Sequence, residues 1–296
     1  MTTGSTAGTT AGTTAGSAAA TARATVPINA QDFKSDYKPI WCPGCGDYTV
    51  LSSFTKAFAS LGLRPENTAV VSGIGCSSRI PAYLTSYGFH GVHGRSLAAA
   101  AGLKLARPDL TVVVASGDGD GYSIGGNHFM HACRRNVDMT YVVMDNHVYG
   151  MTKGQPSPTT EPDWDSKLSP GGTGLRTFHP LVIALAAGAN FVARAFSGDP
   201  VGAADMIAEA IRTPGFSFVE ILSPCVTFRP EQREWKKAVR KASVPTTNDP
   251  ARAARLLMTD DGFNIGILYR GDRKPYQPRM GKGSKRPADL EKGFAI

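Results

Sequence analysis

The chain has 296 residues, of which 42% are hydrophobic, enough to bury the core of one large α/β domain or two small ones. No apolar run approaches the ~18 residues of a membrane span. Residues 1–25, rich in Thr, Ala, Gly and Ser, lack the charged-then-apolar order of a secretory signal. We therefore expect a cytoplasmic protein that enters no membrane, with a disordered tail over residues 1–25.

The net charge of +8 lies near the C-terminus. The first 228 residues hold 16 basic and 16 acidic residues, whereas residues 229–296 hold 16 basic and eight acidic ones. Such a segment can bind nucleic acid or an acidic protein, or can be a solvated extension. Because the helix predicted over residues 231–241 offers one aromatic ring, Trp235, and no series of rings for stacking bases, we expect an acidic protein partner and no nucleic acid.

Apolar runs and helical patterns alternate along the middle of the chain. Apolar residues recur at helical spacing in the helices, and the strands are short continuous apolar runs. The predicted elements are a helix over 48–61, a strand over 68–72, a helix over 96–107, a strand over 110–115, a helix over 125–135, a strand over 139–145, a helix over 180–189, a strand over 191–195, a helix over 202–213 and a strand over 216–222. This alternation predicts an α/β fold with a doubly wound, mostly parallel sheet that ends at Ser223.

A glycine-rich turn, Gly117-Asp118-Gly119-Asp120-Gly121, follows the strand over 110–115. Such a turn lets backbone N–H groups approach a phosphate, and a carboxylate there can hold a divalent cation against it. Asn146 follows the next predicted strand, so both side chains should emerge at the same carboxyl edge of a parallel sheet. The turn fits equally well a βα loop whose aspartate caps the next helix.

The five cysteines indicate a metal site rather than disulfides. An odd number in a cytoplasmic chain argues against a disulfide framework, and Cys133 lies within a predicted helix as a small buried residue. Cys42, Cys45, Cys76 and Cys225 each lie in a loop that contains Gly or Pro. Four such thiolates suit an iron–sulfur cluster or zinc, and the presence of one close pair favours iron–sulfur modestly. A redox dithiol of Cys42 and Cys45 is the third interpretation.

Five dense motifs follow one another along the chain. They are Trp41-Cys42-Pro43-Gly44-Cys45-Gly46, Gly73-Ile74-Gly75-Cys76-Ser77, His93-Gly94-Arg95, Gly117-Asp118-Gly119-Asp120 and Asp145-Asn146-His147-Val148-Tyr149-Gly150-Met151-Thr152-Lys153-Gly154-Gln155. With these motifs in this order, residues 37–230 resemble the β subunit of 2-oxoacid:ferredoxin oxidoreductases, most closely the 2-oxoglutarate type. The resemblance implies a thiamine diphosphate and Fe–S binding domain over residues 26–230 and a basic C-terminal extension over residues 231–296.

The resemblance also implies which residues bind cofactors. Cys42, Cys45, Cys76 and Cys225 would ligate one 4Fe-4S cluster, and Cys133 would not. Thiamine diphosphate would bind through Mg²⁺, whose ligands would be Asp118, Asn146 and the backbone carbonyl of Val148. The residues expected to line the cofactor are Ile74, Gly75, Cys76, Ser77, His93, Gly119, Asp120, Gly150 and Met151.

Three side chains are candidates for the reaction itself. His93 is expected to donate a proton or a hydrogen bond to the reacting oxygen; the alternative is a histidine at a helix start that is satisfied by the backbone. Arg79 and Lys153 are candidates to hold substrate carboxylates, because an anionic substrate needs cationic donors. The alternative for both is a surface charge, and His90 is expected to be structural.

The function implied by the resemblance is oxidative decarboxylation of a 2-oxo acid, 2-oxoglutarate, with coenzyme A. The products would be acyl-CoA and CO₂, with electrons passing through the cluster to ferredoxin. Because the chain carries only the diphosphate half of a thiamine site, it would need an α subunit for activity. The alternative function is a non-oxidative thiamine-dependent decarboxylase or synthase subunit whose cysteines hold a structural zinc.

Overall fold

The computed structural model describes residue 1, residues 27–243 and residues 246–277. Apart from Met1, the tail predicted over residues 1–25 lies outside these residues, as do residues 278–296 of the predicted C-terminal extension. No helix within the described ranges has the length and apolar character needed to cross a membrane.

The described chain folds into alternating helices and strands. The strands are Thr68–Ser72 (β1), Tyr87–His90 (β2), Thr111–Gly117 (β3), Met139–Asp145 (β4), Phe191–Phe196 (β5), Phe216–Leu222 (β6), Arg240–Lys241 (β7) and Asn264–Arg270 (β8). The α-helices are Asp47–Ser60 (α1), Ser96–Ala106 (α2), Gly126–Arg135 (α3), Pro180–Ala186 (α4), Pro200–Arg212 (α5), Trp235–Ala238 (α6) and Pro250–Met258 (α7). Short 3₁₀ helices span Ala30–Phe33, Pro65–Asn67, Ser77–Tyr83 and Pro230–Glu234, and a π-helical turn spans Gly119–Ile124.

The strands form one sheet in the order β2-β1-β3-β4-β6-β5-β8-β7. The six strands from β2 to β5 are all parallel, and β8 pairs with β5 in the antiparallel sense. The predicted α/β fold with a mostly parallel sheet is therefore confirmed.

Each central strand is buried on both faces, which explains its continuous apolar sequence. Alternate residues of β3 enter different cores: Val112 and Val114 lie in one, and Val113 and Ala115 lie in the other. Strand side chains point alternately to the two faces of a sheet, so helices must cover both sides. This arrangement makes the centre of the sheet a rigid platform for the loops at its edge.

The prediction that the sheet ends at Ser223 is wrong. Residues after 231 contribute α7 and two further strands, of which β8 joins the sheet beside β5. The sequence of β8 is not a continuous apolar run, because most of its residues are only half-buried. The helix predicted over residues 231–241 is also shorter: the backbone becomes extended at Val239 (φ −65°, ψ 131°), immediately after α6.

The carboxyl ends of β1, β3, β4 and β6 lie side by side, because these strands are neighbours in the sheet and run parallel. The segments that leave them are the loop with Cys76, the glycine-rich turn, the turn that begins at Asn146 and the loop with Cys225. Ligands of open α/β sheets bind at this edge. The topology thus brings four predicted motifs together.

Candidate cofactor site at the carboxyl edge of the sheet

A cavity of about 470 Å³ opens at the ends of β1, β3 and β4. All nine residues predicted to line the cofactor form its wall, together with the three predicted Mg²⁺ ligands. Arg79 and Lys153 do not line it. The cavity wall therefore gathers twelve of the predicted residues, whose individual roles stay predictions.

Asp118 is the buried carboxylate at the floor of this cavity, with 2% of its surface exposed. Its Oδ2 atom accepts hydrogen bonds from the hydroxyls of Ser157 (2.5 Å) and Thr159 (3.0 Å). Both hydroxyls come from the loop rich in Pro, Ser and Thr that follows β4. This loop therefore fixes the orientation of the carboxylate.

Gly119 leaves room for the ring of Tyr149, which forms part of the cavity wall. A Cβ atom at this position would lie 2.2 Å from Cε1 of Tyr149, well inside van der Waals contact. The Tyr149 hydroxyl donates to the Gly119 carbonyl at 3.1 Å. The ring therefore packs against the backbone at a position where only glycine leaves room for it.

The turn that follows β4 carries the other two predicted Mg²⁺ ligands. The Asn146 side-chain oxygen accepts a hydrogen bond from the Val148 N–H at 3.1 Å, and His147 between them has a φ of 55°. The His147 carbonyl accepts hydrogen bonds from Arg229 (3.0 Å) and from the Thr160 hydroxyl (2.7 Å). These contacts hold a left-handed residue in place, so the amide and carbonyl oxygens have a defined position.

Asp120, on the cavity wall, accepts hydrogen bonds from three different segments of the chain. Its Oδ1 atom accepts hydrogen bonds from the backbone N–H groups of Ile74 (3.0 Å) and Gly94 (2.7 Å), and its Oδ2 atom accepts one from the Ser116 hydroxyl. One carboxylate thus joins the segments that follow β1 and β2 to β3. Asp120 thereby shapes the cavity wall, and its contact with a cofactor stays a prediction.

His93 also depends on Asp120. Its Nδ1 atom lies 2.8 Å from Asp120 Oδ1, and its ring is 40% exposed at the cavity. In the neutral ring Nδ1 is then the donor, because a carboxylate can only accept, and Nε2 is left free to act as an acceptor. The partner of His93 Nδ1 is thus a side chain and not the backbone, and the role of His93 in the reaction stays a prediction.

The charges under the cavity favour a cation. Burial raises the pKa of Asp118, and burial together with the Asp118 charge raises the pKa of Asp145 well above its ordinary value. Thr159 lies between the two carboxyl groups, 2.7 Å from Asp145 Oδ1. A divalent cation would offset the free-energy cost of keeping these two buried carboxyl groups ionised. The carboxylate, amide and carbonyl oxygens at Asp118, Asn146 and Val148 are ligands that Mg²⁺ prefers.

The loops that carry four of the cysteines converge beside the same cavity. A methyl group on Gly150 would lie 3.4 Å from the sulfur of Cys225 and 4.0 Å from that of Cys76. The Gly46 N–H, next to Cys45, donates to the Pro224 carbonyl at 3.1 Å. The Trp41 indole N–H donates to the Cys76 carbonyl at 2.7 Å. This bond holds the segment before Cys42 against the loop that carries Cys76. Cys133, by contrast, is fully buried in α3.

The thiols influence each other electrostatically. Burial raises the pKa of Cys76 to about 11, and the charges of Asp47, Cys225 and Cys42 act in the same direction. Burial also raises the pKa of Cys45 and of Cys225. Metal ligation would be needed to hold these groups as thiolates at neutral pH. As the side chains are placed, no group of three or more Cys, His, Asp or Glu residues within the described ranges has the arrangement of a metal site.

Arg79 and Lys153 lie outside the cavity wall. Arg79 is half-buried in the 3₁₀ helix that follows Cys76, and its charge opposes the rise in the pKa of that thiol. Lys153 is exposed, with a φ of 84°, in the turn that also carries Met151. His90 is structural in position: its Nδ1 atom lies 2.8 Å from the Ser78 carbonyl oxygen.

Sequence reasoning missed the side chains that support this site. Ser157, Thr159, Arg229 and Gln232 are all at most 9% exposed and hold Asp118 or the Asn146 turn. The run Ser157-Pro158-Thr159-Thr160 offered a signal, because hydroxyl residues between prolines commonly bond to nearby polar groups.

Comparisons with known proteins agree with this architecture. Residues 73–221 match the family described as the C-terminal TPP-binding domain of thiamine pyrophosphate enzymes. A 2-oxoglutarate oxidoreductase subunit KorB from Mycobacterium tuberculosis is 49% identical over 202 residues, which are 68% of this chain and 54% of that protein. The β subunit of 2-oxoacid:ferredoxin oxidoreductase 2 from Aeropyrum pernix is 37% identical over 268 residues, which are 85% of this chain and 86% of that protein.

A solved structure extends the likeness to three dimensions. The 2-oxoglutarate:ferredoxin oxidoreductase from Magnetococcus marinus, solved with 2-oxoglutarate, coenzyme A and succinyl-CoA bound, superposes with a TM-score of 0.81 at 42% identity. The match covers 84% of this chain and 87% of that one, although this chain spans only about half of its Mycobacterium relative. The chain belongs to the β-subunit family of 2-oxoacid:ferredoxin oxidoreductases, which includes the 2-oxoglutarate enzymes.

Proposed function

We propose that this chain is the thiamine diphosphate and cluster-binding β subunit of an oxidoreductase that converts 2-oxoglutarate and coenzyme A to succinyl-CoA and CO₂. The observation that carries the proposal is the meeting of two donor sets at one sheet edge. Oxygen donors line the cavity, and the loop of Cys76, on the cavity wall, lies beside the loops of the three other cysteines that we propose as ligands. The ligands named for the Magnetococcus structure support the choice of substrate.

Asp118, Asn146 and Val148 would hold Mg²⁺, and the glycine-rich turn would receive the diphosphate. The four cysteines Cys42, Cys45, Cys76 and Cys225 would hold a 4Fe-4S cluster. Bound thiamine diphosphate supplies the electron sink for release of CO₂ from a 2-oxo acid, and a cluster accepts electrons one at a time. Cys76 lies on the cavity wall, so the two groups would be neighbours.

His93 would exchange a proton or hydrogen bond with the reacting oxygen through Nε2, since Asp120 occupies Nδ1. Arg79 and Lys153 would attract the carboxylates of the substrate from outside the cavity wall, and coenzyme A would accept the acyl group. The positions of the side chains support these roles: His93 lies on the wall of the cavity, and Arg79 and Lys153 lie next to segments that form it.

Two protein partners follow from the chemistry. An α subunit would complete the thiamine site, because the described cavity offers ligands for the diphosphate half. Ferredoxin would take the electrons from the cluster. Exposed basic residues among the described residues after position 231, such as Lys236, Lys237 and Arg240, suit an acidic protein partner.

The test is anaerobic co-purification of the chain with its α subunit, followed by metal analysis and a substrate panel. We expect about four irons with acid-labile sulfide per chain, and reduction of a low-potential dye that depends on coenzyme A and is faster with 2-oxoglutarate than with pyruvate. Zinc without sulfide, with CO₂ release but no dye reduction, would instead favour the non-oxidative alternative.

A further inference from the structure

Gln232 joins the two halves of the site. It lies in the 3₁₀ helix Pro230–Glu234 and is 1% exposed. Its Oε1 atom accepts a hydrogen bond from the Cys225 N–H (2.8 Å), and its Nε2 atom donates to the Asn146 carbonyl (2.7 Å). Cys225 follows β6 and Asn146 follows β4, so one side chain connects the loops of two neighbouring strands.

The chemistry of glutamine fits this bridge. The Cys225 N–H can only donate and the Asn146 carbonyl can only accept, so the orientation of the amide follows from its partners. Within the described residues, these are the sole hydrogen bonds recorded for the two backbone groups. Loss of either bond would leave a partly buried backbone group without this partner.

We propose that Gln232 is a positioning residue that couples the cluster site to the thiamine diphosphate site. This inference rests on the proposed function, in which Cys225 is a cluster ligand and Asn146 is a Mg²⁺ ligand. A ligand that fixes the Asn146 turn would, through the Gln232 amide, also fix the Cys225 loop. Coupling of this kind is reciprocal, so cluster ligation would favour cofactor binding to the same degree.

The surroundings of Gln232 indicate that the turn would survive its replacement. The His147 carbonyl, one residue after Asn146, has its own anchors in Arg229 and Thr160. The N–H of Ser223 bonds the carbonyl of Asp145 at 2.8 Å, which joins the two loops at the sheet itself. Substitution of Gln232 should therefore loosen two backbone positions without unfolding either loop.

The experiment compares Gln232→Glu and Gln232→Met in the anaerobic complex with the α subunit. Glutamate keeps the acceptor for Cys225 but cannot, when ionised, donate to Asn146, whereas methionine removes both functions at similar volume. The first readout is the Mg²⁺-dependent affinity for thiamine diphosphate, measured by calorimetry. The second is the rate at which a chelator removes iron, with and without saturating thiamine diphosphate. Gln31→Met, on an exposed residue, is the matched control.

Both variants should bind thiamine diphosphate about tenfold more weakly than the wild type. Iron release without cofactor should be faster in Gln232→Met and unchanged in Gln232→Glu. Saturating cofactor should slow iron release about fivefold or more in the wild type and at most about twofold in either variant. A residue with a merely structural role would change the rates but leave this protection intact.

The inference is overturned by wild-type protection that persists in Gln232→Glu, or by a wild type that shows no protection at all. If Gln232→Met fails to accumulate as folded protein, the comparison of Gln232→Glu with the wild type decides alone. A wild-type complex that holds no cluster or binds no thiamine diphosphate contradicts the proposed function itself, which is a separate outcome.

Discussion

Gly119→Ala tests whether the glycine-rich turn is shaped for close approach. The new Cβ would lie 2.2 Å from Cε1 and 2.6 Å from Cδ1 of Tyr149, where ordinary contact begins at 3.4 Å. To remove this clash, the ring or the turn must move by about 1 Å, as is typical when a side chain is enlarged in a packed region. The ring is also held by its hydroxyl, which donates to the Gly119 carbonyl.

The easier movement is towards the cavity, because its volume of about 470 Å³ offers space that the core behind the turn does not. Overpacking of a core costs ~1–3 kcal/mol, and we expect the lower end here for the free energy of unfolding. The displaced ring would occupy space needed by the cofactor. Affinity for thiamine diphosphate with Mg²⁺ should therefore fall by at least about tenfold, which is ~1.4 kcal/mol.

Calorimetric titration with thiamine diphosphate and Mg²⁺ measures the affinity, and urea denaturation measures the stability. Gly102→Ala in α2 is the control, because a Cβ there meets nothing within 4 Å. That variant should bind normally and be more stable by up to ~1 kcal/mol, as expected for Gly to Ala in a helix. A Gly119→Ala protein with wild-type affinity would refute the reasoning about this turn.

Three further predictions concern the buried polar groups. Asp118→Ala should lose Mg²⁺-dependent cofactor binding in calorimetry yet keep its iron; retained affinity would exclude Asp118 as a ligand. Thr159→Val removes the hydroxyl between Asp118 and Asp145, so urea denaturation should show a loss of ~1–3 kcal/mol. Burial alone would raise the pKa of Glu161, but the hydrogen bond and charge of His147 hold it at about 2. While His147 is protonated, a pH range that its own raised pKa extends, Glu161→Gln should therefore destabilise the protein from pH 4.5 upwards, with an effect that disappears as the pH falls towards 2; a difference independent of pH would contradict this.

The central strands of the sheet could be predicted from the sequence, because a strand that is buried on both faces has a continuous apolar sequence. The strands over 68–72, 139–145 and 216–222 have the predicted bounds. The strands β2, at one edge of the sheet, and β8, next to the other edge, were not predicted, because they are not buried on both faces. All four residues of β2 are exposed, and β8 is mostly half-buried, so neither carries that pattern.

For the site, too, some residues could be predicted from the sequence and others could not. Glycines and cysteines at strand ends marked the cavity wall, because the carboxyl edge of a parallel sheet gathers loops whatever their length. Supporting contacts could not be predicted, since they join residues far apart in sequence. Ser157 reaches Asp118 from 39 positions away, and Gln232 reaches Asn146 from 86. No local pattern records such pairs.

The most direct test of a shared site for both cofactors is a freeze-quench EPR measurement without ferredoxin. The anaerobic complex, loaded with thiamine diphosphate and Mg²⁺, is mixed with 2-oxoglutarate and coenzyme A. We expect the signal of a reduced 4Fe-4S cluster in the wild type and none in Asp118→Ala, although dithionite should still reduce the cluster of that variant. A cluster that 2-oxoglutarate reduces equally well in Asp118→Ala, or a wild-type chain without iron, would contradict the account.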